Sequence, residues 1–479
     1  MPESCDLFEY KSGRWIRVFN VFELTRLAAL AIQQKEVDVI GFEKLAEWGF
    51  NRTTEPKFLV VASEVATLEF LRAHDIPVPK VLGYSAVANN RTGTEYIFVE
   101  HVRGQNLGDI WYTLSERERR ELVARIVQLE SRSFELQFPA SGSLYFCKDL
   151  PDNYARVLVP GPESTHPLCI GPDTSLELWH GKRLNLSVER GPYRDPSAVL
   201  AAGALKEIAY LEKFGRPLQT FQRLRREIYN YQPQSHLAHT TALEKYLQVA
   251  PHLVPHNCPA LHRPIIRHPD LQPNNIFVSD NLEITGLIDW QHSTIRPLFL
   301  QCGIPESLKN YGDEISKSLQ IPTLPSNFDE MEELEQFEQV ELLRRRQLHY
   351  YYVKMTAERN PEHYEALTYD FNLVTLSKNW TEVNRDAKAA CLISFSDDES
   401  TECLRLVRAQ SEADEQFKAC LEAIGARAEG WVPVTHYDEA KTCERKLKAD
   451  ALDAAETEEA RARIEENWIF DDFCEEDYM

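Results

Sequence analysis

Arg267-His268-Pro269-Asp270-Leu271-Gln272-Pro273-Asn274-Asn275 is followed by the apolar run Ile276-Phe277-Val278, a polar turn Ser279-Asp280-Asn281, and a second apolar run closing on Leu287-Ile288-Asp289-Trp290. Two short strands joined by that turn return the chain on itself, so the spacing predicts that Asp289 lies close to Asn275. Asp270 then sits in a loop between an incoming strand at Pro264 to Arg267 and the hairpin.

That set of side chains suits phosphoryl transfer. An alcohol attacking the γ-phosphate of ATP needs a carboxylate at its hydroxyl, which Asp270 can provide. The Mg²⁺ of the nucleotide takes only one or two oxygen ligands from protein besides phosphates and water. Asn275 offers a neutral carbonyl oxygen and Asp289 an anionic one. His268 is assigned to orienting the loop by hydrogen bonding rather than to moving a proton.

The pattern HxDxxxxN, followed by an apolar strand ending in Asp, resembles the catalytic core shared by protein kinases and aminoglycoside phosphotransferases. Pro269 after His268, Trp290-Gln291 after Asp289, and the lack of an Ala-Pro-Glu segment favour the second group. Phe8-Glu9-Tyr10-Lys11-Ser12-Gly13-Arg14-Trp15, Ser63-Glu64-Val65-Ala66-Thr67, Ile76-Pro77-Val78-Pro79 and Ile288-Asp289-Trp290-Gln291-His292 resemble the fungal altered inheritance of mitochondria protein 9 group. The likeness runs from about Leu7 to about Asn379.

The resemblance implies an α/β (α+β) fold, two-lobed and protein-kinase-like, with a small β-containing N-lobe and a larger helical C-lobe. It implies ATP and Mg²⁺ as cofactors, a small-molecule acceptor of unknown identity, and a mitochondrial location. The cytoplasm stays open, because the start carries Glu3, Asp6 and Glu9 rather than an Arg-rich presequence. Glu64 would be the helix carboxylate that pairs with a phosphate-binding cation. Glu100 and Val102, at the end of the run from Tyr96, would belong to the hinge that grips adenine through backbone groups.

One departure bears on activity. The family places a glycine-rich hairpin and a strand carrying the phosphate-binding cation ahead of the Glu64 helix. Here Glu47-Trp48-Gly49-Phe50-Asn51-Arg52 resembles the start of that hairpin, and the single lysine between it and the helix is Lys57, read as part of the loop before the helix. Two strands, a turn and a loop would use nearly all of the positions between Gly49 and Ser63. The alternatives are an active kinase, a catalytically impaired pseudokinase acting as a binding or scaffold protein, and a gene model lacking an exon.

Working outward, Asn20 is expected to cap a helix reaching Gln34, with a strand from Val37 to Phe42. Ser63 is expected to cap a second helix that stops before Ile76-Pro77, where proline imposes an extended path. Further helices are expected over Ser115 to Ser133, Ala198 to Phe214, Leu218 to Tyr231 and Asp329 to Arg359. The Pro- and Gly-rich stretch from Tyr145 to Pro196 reads as irregular structure with short elements. Within it, Trp179, His180, Lys182, Arg183 and Arg190 form either a lid over an anionic substrate or, as the favoured reading, a structural loop. Of Tyr350, Tyr351 and Tyr352, at least one belongs in the core, because consecutive helical positions point in different directions.

The expected organisation is a helical extension over 1–35, an N-lobe over 36–103, a C-lobe over 104–380, and a helical, acidic extension over 381–479. Over 479 residues, 75 acidic against 53 basic side chains give a net charge of −22, which argues against nucleic acid as a partner. No apolar run approaches the length of a membrane span. The ten cysteines are scattered, without CxxC spacing, and read as reduced packing thiols. His252, His256, Cys258 and His262 are interleaved with prolines that disfavour a zinc site. Oligomeric state is not legible.

Overall fold

A computed structural model of the chain describes residues 19–39, 41, 57–161, 166–255, 258–367, 396–426, 432 and 436–471. In chain order its elements begin with α1 (Val21–Ala31), α2 (Lys57–Ala73), β1 (Val81–Ser85), β2 (Tyr96–Val99), β3 (Gln105–Asn106), α3 (Leu107–Ile110) and α4 (Glu116–Phe134). There follow β4 (Ser143–Phe146), β5 (Val157–Leu158), β6 (Leu168–Gly171), α5 (Pro196–Phe214), α6 (Arg225–Ile228) and α7 (His236–Val249). After them come β7 (Pro264–Ile266), β8 (Ile276–Val278), β9 (Ile284–Leu287), β10 (Ile295–Pro297), α8 (Glu314–Ser318), α9 (Glu333–Arg359) and α10 (Pro361–Leu367). The last are α11 (Asp397–Ala423), α12 (Tyr437–Asp453) and α13 (Glu458–Glu466).

The strands pair antiparallel in small sheets, ordered β1-β2, β10-β7, β3-β8-β9 and β4-β6-β5. This mixed α/β arrangement, with short sheets and many helices, is the protein-kinase-like one expected from the sequence. Two compact units can be distinguished. The first comprises Met1–Gly203 with Leu253–Asp370, and the second Ala204–His252 with Phe371–Met479. All of the candidate site residues belong to the first.

Local chemistry explains most element boundaries. Asn20 caps α1 by accepting from the Glu23 amide, and Ser115 starts α4 with a reciprocal capping box to Glu118. The core of the first unit is built between α2, α4 and α9. Leu71, Leu107, Leu122, Val123 and Tyr352 are fully buried in one cluster that also holds Ile276 and Leu287 of the β8-β9 hairpin and Trp290 just after it. Truncating such a leucine to alanine removes about 2–5 kcal/mol.

Three expectations are corrected. The strand from Val37 is replaced by a 3-10 turn at Glu36–Asp38, because the Lys35 amide donates to the Asp38 carboxylate and winds the chain tightly; Phe42 lies outside the described residues. Ser63 does not cap α2. The helix already runs through Lys57 and Leu59, so Ser63 lies inside it, buried. The apolar run Phe58 to Ala62 extends the helix backward because Leu59 and Ala62 bury against Tyr145, Leu150, Cys169, Leu178 and Trp179. The helix expected over Leu218 to Tyr231 shrinks to Arg225–Ile228, since Asn230 and Tyr231 adopt φ of 50° and 58° and Leu218 pairs with Gln234 instead.

In the second unit, α6 and α11 are joined by Arg225, whose guanidinium donates to both carboxylate oxygens of Asp414. Arg226 reaches Asn467 and Lys448 pairs with Asp471. Among the described residues, no helix is long and apolar enough to cross a membrane.

Candidate active site

β7 enters the site bonded to β10 through Ile266 opposite Ile295. The chain then turns at His268, which is 7% exposed. Its Nδ1 accepts from the Asp270 amide at 3.1 Å, so its proton resides on Nε2, which donates to the Ile288 carbonyl at 2.8 Å. Burial pushes the imidazole down to about 4, so it is neutral at physiological pH. The ring meets the edge of Trp290 at 4.6 Å between centroids. One side chain therefore sets both the turn that presents Asp270 and the residue before Asp289.

The hairpin completes the juxtaposition. β8 and β9 pair with Ile276 opposite Leu287, and the Ile288 amide donates to the Asn275 carbonyl at 3.0 Å. These backbone bonds set Asn275 against Ile288, the residue before Asp289. Asp289 has φ of 62°. A non-glycine residue held in the left-handed region is strained, and such positions cluster at functional sites. Burial raises its carboxyl above the usual range, against the lowering effects of His292 and the Gln291 amide.

Asp270 is exposed. Its Oδ2 accepts from Gln272 Nε2 at 2.5 Å and Asn275 Nδ2 at 3.3 Å. Asn275 is 0% exposed and also donates Nδ2 to the Asp270 carbonyl at 2.9 Å. Its orientation is fixed by that pair of acceptors, which turns Oδ1 away into a buried position with no hydrogen-bond partner. Leaving a buried acceptor unsatisfied costs about 1–3 kcal/mol. A carbonyl oxygen without a donor, one bonded residue away from the Asp289 carboxyl, offers the oxygen ligands a hard divalent cation takes. The residues present fit Mg²⁺ carried in with nucleotide phosphates.

Glu64 lies on α2 and makes no hydrogen bond or ion pair among the described residues. Burial, and next the negative charge of Asp289, raise its carboxyl to about 8. The expected cation partner is therefore not supplied by the described chain. Lys57, read from sequence as a loop residue, is instead part of α2, two helical turns before Glu64. The hairpin expected at Glu47 to Arg52 lies outside the described residues.

At the expected hinge, Glu100 is engaged through its side chain, with Oε1 accepting from the Lys80 amide and Arg72 Nη1, both at 2.9 Å. Its amide donates to the Lys80 carbonyl. Val102 packs on Gly286, where a Cβ would collide with the valine methyls. Among the described residues no backbone partner takes the Val102 N–H or C=O.

Several positioning residues were missed by the sequence reading. Asn106 starts α3 by accepting from the Gly108 amide and donates Nδ2 to the Asn274 carbonyl at 2.8 Å, so it ties the 273–275 turn to the segment after Val102. A Cβ at Gly108 would meet the Asn274 and Asn106 side-chain oxygens, which would have to move. The signal available was Gly104 followed by an Asn-Leu-Gly helix start.

The stretch from Tyr145 to Pro196 forms a three-stranded sheet, β4-β6-β5, against α2. Trp179 and Arg190 are buried, the guanidinium stacking 4.0 Å from the indole centroid and donating to the carbonyls of Leu178, Leu186 and Arg183. That is an internal brace, and the lid is set aside. His292 bonds the Thr174 carbonyl at 2.8 Å, and the Ser293 carbonyl accepts from Ser143 at 2.9 Å, so the same sheet steadies the chain after Asp289. Tyr352 is the core member of the tyrosine trio, 0% exposed. Of the His/Cys group, His262 donates to the Pro255 carbonyl and Cys258 to Glu365. Among the described residues, no cluster of three or more His, Cys, Asp or Glu could hold a metal ion.

Comparison with known proteins places these observations in a lineage. The model of the phosphotransferase enzyme family matches residues 52–300. A subtelomeric hrmA-associated cluster protein of Aspergillus fumigatus is 28% identical, over 86% of this chain and 93% of its own length. Altered inheritance of mitochondria protein 9, mitochondrial, is 27% identical in Yarrowia lipolytica, over 57% of this chain and 48% of that protein. In Saccharomyces cerevisiae the figures are 24%, 63% and 51%, so the chain spans about half the length of these mitochondrial relatives.

Proposed function

This chain belongs to the phosphotransferase enzyme family, and from that premise we propose that it transfers the γ-phosphoryl group of Mg·ATP to a hydroxyl of a small molecule. The observation that carries the reading is the buried, unpartnered Oδ1 of Asn275, a residue whose Nδ2 bonds Asp270 and whose carbonyl accepts from the residue before Asp289.

In this reading Asp270 accepts the proton of the attacking hydroxyl as its oxygen forms the new bond to phosphorus and the bond to ADP breaks. Asp270 can do so because Gln272 and Asn275 hold its other face. Asn275 Oδ1 and the Asp289 carboxylate would hold the Mg²⁺, which neutralises phosphate charge when bound. His268 fixes the loop without exchanging protons, since its Nδ1 and Nε2 are both engaged. Val102 would meet the adenine edge through its backbone. The mitochondrial names of the Yarrowia and Saccharomyces relatives support a mitochondrial location.

A second reading, a phosphotransferase-derived protein that binds without turnover, is favoured by Glu64 having no cation partner among the described residues. A missing phosphate-binding cation weakens transition-state stabilisation more than it weakens folding. Measuring Mg·ATP consumption and phosphoryl transfer to a panel of small alcohols separates the two. Turnover that falls at least about a thousandfold in Asp270→Asn, with an unchanged melting temperature, supports the enzyme. Binding of Mg·ATP without any turnover supports the second reading, and undiminished turnover in Asp270→Asn defeats the assignment of Asp270.

A further inference from the structure

We infer that Arg267 is a positioning residue for the Asp270 loop, acting through a buried node that joins both flanks of the catalytic hairpin; its kinetic consequences rest on the phosphotransfer reading. Arg267 immediately precedes His268. Its Nε donates to Glu130 Oε1 on α4 at 2.7 Å, and its Nη2 donates to the Tyr352 hydroxyl on α9 at 3.0 Å. Its Nη1 donates to the carbonyls of Gln301 and Gly303. Tyr352 in turn donates to Glu130 Oε2 at 2.7 Å, so both oxygens of that carboxylate are occupied. Arg267 and Glu130 side chains are 11% and 5% exposed, and His363 packs its ring against Tyr352 from α10.

The connectivity is what distinguishes this node from a core ion pair. The 301–303 segment follows Asp289 and Trp290 by way of β10, which pairs with β7 just before Arg267. One guanidinium therefore ties the strand that delivers Asp270 to the chain that leaves Asp289. A well-packed apolar pair could fill the same volume with equal or better stability. It could not fix the directions of two backbone carbonyls relative to the loop. Only a planar fork with five donors does that, and the point-like ammonium of lysine does not. Misplacing a reacting group by about 1 Å costs about a hundredfold in rate, so a fork at this point sets the position of Asp270 without touching substrate.

The test uses the full chain with Arg267→Lys, which keeps the charge and loses the fork, and Tyr352→Phe, which removes one hydroxyl and no charge. Three quantities are read: hydrogen–deuterium exchange of peptides over 268–276, the kcat and KM for Mg·ATP, and the melting temperature. The expected result is exchange over 268–276 faster by about tenfold, a kcat lowered by about tenfold or more in Arg267→Lys and less in Tyr352→Phe, and a KM within about threefold of wild type. Peptides of β1 and β2 should keep their protection. Loop exchange and kcat per folded molecule equal to wild type, even with a lowered melting temperature, would overturn the inference and leave the node a stabilising contact only. If Arg267→Lys does not fold, Tyr352→Phe decides the matter by the same readouts. A wild type without turnover counts against the phosphotransfer reading alone, and loop exchange still decides the role of Arg267.

Discussion

Replacing Glu64 by Gln isolates the most unusual charge in the site. Burial and the neighbouring Asp289 carry the Glu64 carboxyl from its ordinary 4.5 to about 8. Between those values the native state holds a proton that the unfolded chain releases, so stability falls as pH rises through that window. Each pH unit costs the native state about 1.4 kcal/mol, which sums to about 5 kcal/mol by pH 8 for a wholly buried group. Glu64 keeps partial contact with water, so about half of that, roughly 2 kcal/mol, is the expected size after solvent screening. Glutamine has nearly the same shape and cannot ionise. The Glu64→Gln protein should therefore match wild type near pH 5 and exceed it by about 2 kcal/mol near pH 8, read from urea denaturation midpoints across that range. A variant less stable than wild type at pH 8 would refute the reasoning, because it would mean that a cation does pair with Glu64.

Two further outcomes follow from the same geometry. His268 and His363 are both pushed down to about 4 by burial, so the native state resists protons that the unfolded chain accepts below about pH 6.5; stability should drop by up to about 3 kcal/mol per histidine as pH falls from 6.5 to 4. His363→Gln, which can still donate to the Cys302 carbonyl as His363 does, should flatten that drop, and an unchanged slope in urea midpoints would contradict it. Gly108→Ala would push a methyl group against the side-chain oxygens of Asn274 and Asn106; turning the Asn106 amide away from the Gly108 N–H and the Asn274 carbonyl should cost about 1–3 kcal/mol, whereas unchanged stability would show that the Asn side chains move aside freely.

The placement of the candidate residues was legible because they are nearly contiguous. His268, Asp270 and Asn275 occupy one loop, and a two-stranded hairpin is enough to deliver Asp289, so local spacing carried the reading. The Arg267 node was not legible, because its partners Glu130 and Tyr352 lie 137 and 85 positions away in sequence. Ser63 misled for a different reason. Its cap-like chemistry is real, but burial of Leu59 and Ala62 against the β4-β6-β5 sheet wins over the cap and starts the helix earlier. Trp179 and Arg190 show the same limit, since a cation beside an aromatic ring reads alike in a substrate lid and in a buried brace.

The consequence of Glu64 reaches beyond stability. Under the proposed phosphotransfer, a Glu64 without a cation partner among the described residues leaves phosphate neutralisation to the ion that Asn275 and Asp289 would hold. Metal dependence should accordingly be steep for this protein. That dependence is most directly read in a thermal-shift titration with ATP, with and without Mg²⁺, on wild type and Asp289→Asn. At a nucleotide concentration a hundredfold above its dissociation constant, bound Mg·ATP should stabilise wild type by about 2.7 kcal/mol, with no such gain for ATP in chelator or for Asp289→Asn. An equal rise in melting temperature in Asp289→Asn, or in wild type stripped of metal, would contradict the placement of the cation between Asn275 and Asp289.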